Sequence, residues 1–533
     1  MKKYIYNTGV VVLIAILFMS SLSSCTKKFE EYNTNPYGVS DADLDPDGAL
    51  VVASLQNAQK NIYVNSPAWI TQLQQNLLGD VYSGYMMPPT PFRGNSNNMT
   101  YDLVDGWNTW AYQPAYSNVM LPISKVEPLT KTTLPETYAM AKIIKVEAMH
   151  RVSDIFGPII YTKYRQVNND LSVDFDSQQA AYTAFFADLN EAIAILTPKA
   201  TQTAAAGSVF AKADLVYGGN YGKWARFANT LRLRLALRIV KADPAKAKTE
   251  GEAALANSAG LLSSVADNFN VALGSNHPLN TMNNEWGDIR MGAPMESIMG
   301  GYTDPRLGKY FIAATDPAVI GQFKGIREGV NIDAKSRYVD YSKLATFPSL
   351  AQLMTSAEAA FLKAEAALRG WAGAGTAQAN YELGIQRSFD QYSLGSASAY
   401  FNNAVLVPNP YTDPKAVTPG QNNITAGSPY LSIITIKWNS GGTFNENLER
   451  IITQKWISMY PDGQEAWSEF RRTGFPKLFP VVINNSGGKI PTGTFVRRIN
   501  MPSAEANNPA LAAAIATLGG PDNGATRLWW DKP

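Results

Sequence analysis

The chain has 533 residues, 46 basic and 44 acidic, and is 45% hydrophobic against 17% charged, with 11 Trp, 26 Tyr, 21 Phe and one cysteine. So even a balance of charge leaves no global field to draw the protein to nucleic acid or to anionic lipid. A single thiol excludes an intramolecular disulfide; the fold rests on packing alone, which a chain this long supplies because it buries most of its apolar surface.

At the N-terminus, Lys2 and Lys3 precede an unbroken apolar run over residues 10–19. That run has the length of a signal-peptide core and is too short for a span, which needs roughly 20 apolar residues to cross about 30 Å of hydrocarbon. Leu22-Ser23-Ser24-Cys25 resembles a bacterial lipobox, departing from it at Ser24, where Gly or Ala is commoner. The reading is a lipoprotein signal peptide over residues 1–24 and a mature chain over 25–533 that begins with an acylated Cys25. An ordinary signal peptide would instead leave Cys25 as a stray thiol in an oxidising compartment.

Further along, Asp43-Leu44-Asp45-Pro46-Asp47-Gly48 mimics the start of a calcium loop, but Ser54 stands at its twelfth position and Pro46 interrupts the ligand run. Aspartates before an apolar helix are better explained as helix-start chemistry. Long Asn-, Gly- and Pro-rich loops are expected over residues 83–106, 197–209, 273–290 and 402–430, and loops of that length in a compact chain are often functional.

Between the loops the spacing predicts helices. Residues 135–155 carry Ala141, Ile144, Ala148, Val152 and Ile155 at helical intervals and stop at Gly157-Pro158. Residues 178–196 and 356–371 are alanine-rich with one aromatic or leucine per turn. Small residues alternating with large ones let helices approach closely, as in stacked hairpins of the tetratricopeptide kind.

Residues 218–223 (GGNYGK) have the wrong glycine spacing for a phosphate loop, and Trp224 stands where Ser or Thr should bind magnesium; they read as a loop before a helix. In that helix, over 223–240, Trp224, Phe227, Leu231 and Leu235 mark one face while Leu233 and Leu237 add apolar groups elsewhere. A helix buried nearly all round obliges Arg234 and Arg238 to find partners within the fold.

Catalytic chemistry is poorly provided. The two histidines, His150 and His277, have no cysteine or histidine neighbour, so the common zinc sites cannot be built. No Gly-x-Ser-x-Gly elbow is present for a serine nucleophile, and no local pattern nominates a pair of carboxylates. Any two of the acids could still meet in space as a catalytic pair.

Five segments in order along the chain carry a family resemblance: DIFGP at 154–158, KWARFANTLRLRLALRI at 223–239, AEAAFLKAEAALRG at 357–370, QKWISMYPDGQEAWSEFRRTGFPKL at 454–478, and the tail 497–531 ending LWWD. They are similar to the SusD/RagB nutrient-binding outer-membrane lipoproteins. The resemblance implies a mainly α fold of tetratricopeptide-like helix pairs with an irregular, loop-rich part that carries the ligand site. It also implies a lipid-anchored protein at the outer membrane, facing the exterior, whose partner is a SusC-like TonB-dependent transporter and which acts as a non-catalytic lid. The ligand is then an oligosaccharide or, in some members, a peptide, and neither enzyme activity nor a cofactor is expected.

The segments that carry the resemblance read as scaffold, so the site is sought in the loops. In residues 82–112, YSGYMMPPTPFRGNSNNMTYDLVDGWNTWAY, aromatics alternate with Asn, Thr, Ser and Gly. A sugar ring offers a flat C–H face to an aromatic, and its hydroxyls need amide and hydroxyl partners. The candidate contacts are Tyr82, Tyr85, Phe92, Asn95, Asn98, Trp107 and Trp110, with Trp286, Arg290 and Tyr302 from a second loop over 276–302. Against this stands core packing, above all for Trp107, Trp110 and Tyr112 if they lie on a helix. A surface glycoside hydrolase and a helical scaffold without a small ligand are the alternatives.

Overall fold

In the computed structural model, residues 46–533 are described; Cys25 and the first half of the calcium-like stretch lie outside them. The periodic segments are helices close to where their patterns end. Helix α1 (Pro135–Phe156) has proline in its first turn and stops at Gly157, whose φ of 97° suits glycine. Helix α2 (Gln178–Leu196) starts where the Ser177 side chain accepts the Ala180 N–H. Helix α3 (Tyr221–Arg238) is capped by Asn220, whose side chain accepts the Lys223 N–H at 2.8 Å, so GGNYGK is a helix-start loop.

These helices pack as consecutive pairs. Helix α1 lies on α2, α3 on α4 (Pro244–Ala256), and α5 (Ser356–Leu368) on α6 (Ala377–Gln391); α3 also touches α2 and α5. Two further helices, α7 (Phe444–Met459) and α8 (Gly463–Thr473), complete the scaffold, α7 packing on α5 and on α8. The alternation of small and large residues explains the close pairs: a Cβ on Gly384 of α6 would stand 2.7 Å from the Phe361 ring of α5. Among the described residues no helix is long and apolar enough to cross a membrane.

The segments that announced the family meet in one buried ionic network. Arg234 of α3 forms a two-pronged pair with Glu358 of α5 at 2.8 and 2.7 Å, and Arg238 pairs with Glu465 of α8. Arg151 of α1 binds Asp462 at 2.7 Å and Glu147 at 2.9 Å. Arg472 bridges Glu365 and Glu469 at 2.6 and 2.7 Å. The tail closes the set: Trp530 donates its indole N–H to Asp154 at 2.7 Å, and Arg497 holds Asp531. Burial raises the Glu147 carboxyl, but Arg151, His150 and Arg234 outweigh it and lower it to about 2. These charges are structural, and the expectation that Arg234 and Arg238 pair within the fold holds.

Strand is scarce. Two short antiparallel ladders join β1 (Met86–Met87) to β3 (Arg290–Met291), and β2 (Phe269–Ala272) to β4 (Leu350–Met354). The first ladder corrects the expectation of an uninterrupted loop over 276–302, since β3 and a helix at Ala293–Gly301 occupy its second half. Pro294 in the first turn of that helix is an ordinary helix start.

Candidate ligand-binding loops

The β1–β3 ladder sets Met87 opposite Arg290, so the two candidate loops leave and enter the fold side by side. Just past the ladder, the Thr90 hydroxyl donates to Asp288 Oδ1 at 2.5 Å. A third loop joins them: Lys335 donates to the Trp286 carbonyl and pairs with Asp288 at 2.8 Å, while Asn95 donates to Asn331 Oδ1 and to the Ile332 carbonyl at 2.9 Å. Asn485 adds a fourth segment by donating its side-chain N–H to the Asn95 carbonyl at 3.1 Å. Spacing could not announce Thr90, Asp288, Asn331 and Lys335, because each acts on a partner far along the chain.

On this frame Phe92, Trp107 and Trp286 are all half-buried. Phe92 and Trp107 meet edge to face with centroids 5.9 Å apart. The backbone that presents Phe92 is held in an unusual form: Arg93, Gly94 and Asn95 follow one another at φ 52°, 62° and 67°. A left-handed residue with a side chain costs about 1–2 kcal/mol, and such a run persists only where its surroundings over-determine it. Here Asn97 donates to the Phe92 carbonyl at 2.6 Å, Thr100 to the Asn95 carbonyl at 2.7 Å, and Arg93 to the Ser96 carbonyl at 3.2 Å.

The other candidates have different surroundings. Tyr82 is buried, its hydroxyl on the Asn98 carbonyl at 3.0 Å and its ring 5.1 Å from Trp467. Tyr85 is fully buried against Trp456, whose carbonyl accepts its hydroxyl proton. Asn98 is also inside; it donates to the Leu77 carbonyl and to Asn108 and accepts the Val104 N–H, so it shapes the loop from beneath. Arg290 is buried as part of β3 and donates to the Val339 and Ile289 carbonyls; burial lowers its guanidinium to about 10. Tyr302, at the end of the Ala293–Gly301 helix, gives its proton to the Ile434 carbonyl at 2.9 Å.

These five therefore spend their polar groups inside the protein, because strand pairing and helix ends, invisible in a loop-like composition, carry them inward. Trp110 is half-buried and sits edge to face with the exposed Trp69, centroids 4.7 Å apart. Tyr112 is core, as the packing alternative had it.

The exposed arrangement is thus a set of half-open aromatic rings rimmed by Asn95, Asn331, Asn485 and the Lys335–Asp288 pair. It suits ring stacking with flanking hydrogen bonds. Comparison with known proteins adds kinship. A family model described as SusD-like, Susd and RagB outer membrane lipoprotein, matches residues 31–531. No curated protein matches. Among solved structures, a chitin-binding SusD homolog from Flavobacterium johnsoniae is 43% identical with a TM-score of 0.85, covering 90% of this chain and 98% of its own. SusD homologs from Bacteroides vulgatus and Bacteroides uniformis are each 35% identical, with TM-scores of 0.83 and 0.82; the matches cover 90% and 91% of this chain and 97% and 100% of theirs.

Proposed function

The chain belongs to the SusD/RagB family of outer-membrane lipoproteins, nutrient- and glycan-binding proteins, and from that premise we propose that it captures a neutral oligosaccharide at the Phe92–Trp107–Trp286 loops and delivers it to a SusC-like TonB-dependent transporter. The observation that carries the ligand site is the group of half-buried rings on loops pinned by partly buried hydrogen bonds. Pinning matters because a pre-ordered loop loses little entropy when ligand arrives. Chitin oligosaccharides are the first ligand to try, since a relative 43% identical is a chitin binder.

In this reading the protein makes and breaks no bond. It is tethered through Cys25 at the outer face of the outer membrane and closes over the barrel as a lid. A glycan array on the purified protein, followed by an assay for released reducing ends, tests the reading. Binding of a neutral oligosaccharide without new reducing ends is expected, and hydrolysis would replace the binder with a glycosidase. Recovery of a TonB-dependent barrel with the protein from native membranes tests the lid role.

A further inference from the structure

A half-open hollow elsewhere shares only His277 with those loops. It measures about 300 Å³ and lies beside the β2–β4 ladder, between Asn268, Asn270, His277, Tyr310, Phe347, Gln352, Gln391, Tyr392 and Tyr460. That is the low end of the range for small-molecule pockets, ~300–1,000 Å³, and fits one ring. Its walls are aromatic in pairs: His277 stacks on Phe347 with centroids 5.0 Å apart, and Tyr310 on Tyr460 at 4.6 Å.

One wall is set by a chain of side-chain amides. Asn268 donates to Gln391 at 3.1 Å, Gln391 to Gln352 at 2.6 Å, and Gln352 to the Tyr460 carbonyl at 3.2 Å. Other polar atoms of the lining find no partner. Asn270 Oδ1 and the Tyr460 hydroxyl are buried and unpaired among the described residues. His277, 2% exposed, accepts the Leu279 N–H on Nδ1, which puts its own proton on Nε2. Burial holds this ring neutral, its pKa lowered to about 4. Unpaired buried polar groups cost about 1–3 kcal/mol each, and both belong to residues that line the hollow. No carboxylate lines the cavity, and its one charged residue is Lys309, exposed to solvent.

We infer that this cavity is a second binding site, for a single neutral ring of hexose size whose hydroxyl or amide groups pair with Asn270, His277 and Tyr460 while its apolar face meets the tyrosines. The inference does not rest on the loop site. Saturation-transfer NMR with glucose and with N-acetylglucosamine on the purified full chain tests it, using Asn270→Leu, which removes a polar partner, and Ala345→Trp, which fills the half-buried rim without deleting a core group. Binding of at least one sugar is expected, kept in Trp286→Ala and weakened at least about tenfold in both cavity variants, the scale of one hydrogen bond. Absence of binding by both sugars, loss in Trp286→Ala, or indifference to both cavity variants would overturn it. Oligosaccharide binding at the loops stays intact in the cavity variants, so the two readings fail separately.

Discussion

Tyr85 and Phe92 lie in one aromatic stretch and have opposite surroundings. Tyr85 precedes a strand and is fully buried, whereas Phe92 stands on the left-handed run at 93–95, half-open. Residue type gave both the same promise; pairing with β3 separated them, and that pairing is not encoded nearby. Tyr85→Ala should therefore destabilise the fold by about 3–5 kcal/mol, read by urea denaturation. Phe92→Ala should cost less than about 1 kcal/mol while weakening oligosaccharide binding.

Asp80 is 1% exposed, its Oδ1 has no hydrogen-bond partner among the described residues, and burial raises its carboxyl to about 7. Its folded value stands above the unfolded one of about 3.9, so its contribution to stability is full below that pH and is lost as pH rises through 7. Replacing it by Asn removes the titration. Melting temperatures between pH 5 and 8 should fall less steeply in Asp80→Asn than in the unaltered protein, and equal slopes would refute the assignment.

At the scale of elements, the helices were legible because their period repeats within the segment itself. Residues 135–155 and 178–196 were read to within a residue of α1 and α2. The β1–β3 ladder was not, since each strand has two residues and its partner lies some 200 positions away; tertiary context decides such pairs. The same applied to the need of Arg234 for a counter-ion: the need could be read from α3, but not that Glu358 meets it. Because removing one member of a buried pair leaves a charge unpaired, Arg234→Leu should cost about 3–5 kcal/mol. The double variant with Glu358→Leu should cost less than the sum of the singles, as a thermodynamic cycle would show; strict additivity would mean that Glu465 and Glu147, also within 3.7 Å of Arg234, carry the interaction.

For the whole molecule, kinship was legible because the segments that carry it build one ionic core, joining α1, α3, α5, α8 and the tail through Asp154, Glu358, Glu465 and Asp531. The site was legible only as a region. Asn95, Phe92 and Trp286 are held at the surface by Thr90, Asp288, Asn331 and Lys335, whose chemistry is ordinary until the chain is folded. Cys25, outside the described residues, carries the expectation about the membrane: Cys25→Ala should give a folded protein lost from the membrane fraction of cells lacking the partner barrel, and its retention there would argue against the lipid anchor.

The most direct test of a non-catalytic glycan binder with this site is calorimetric titration of a chitin oligosaccharide into the purified protein and into Trp286→Ala and Phe92→Ala. Stacking of a ring on an aromatic predicts saturable binding by the unaltered protein and an affinity at least about tenfold lower in each variant, the equivalent of about 1.4 kcal/mol. Saturable binding that both variants retain unchanged would contradict the assignment of these loops.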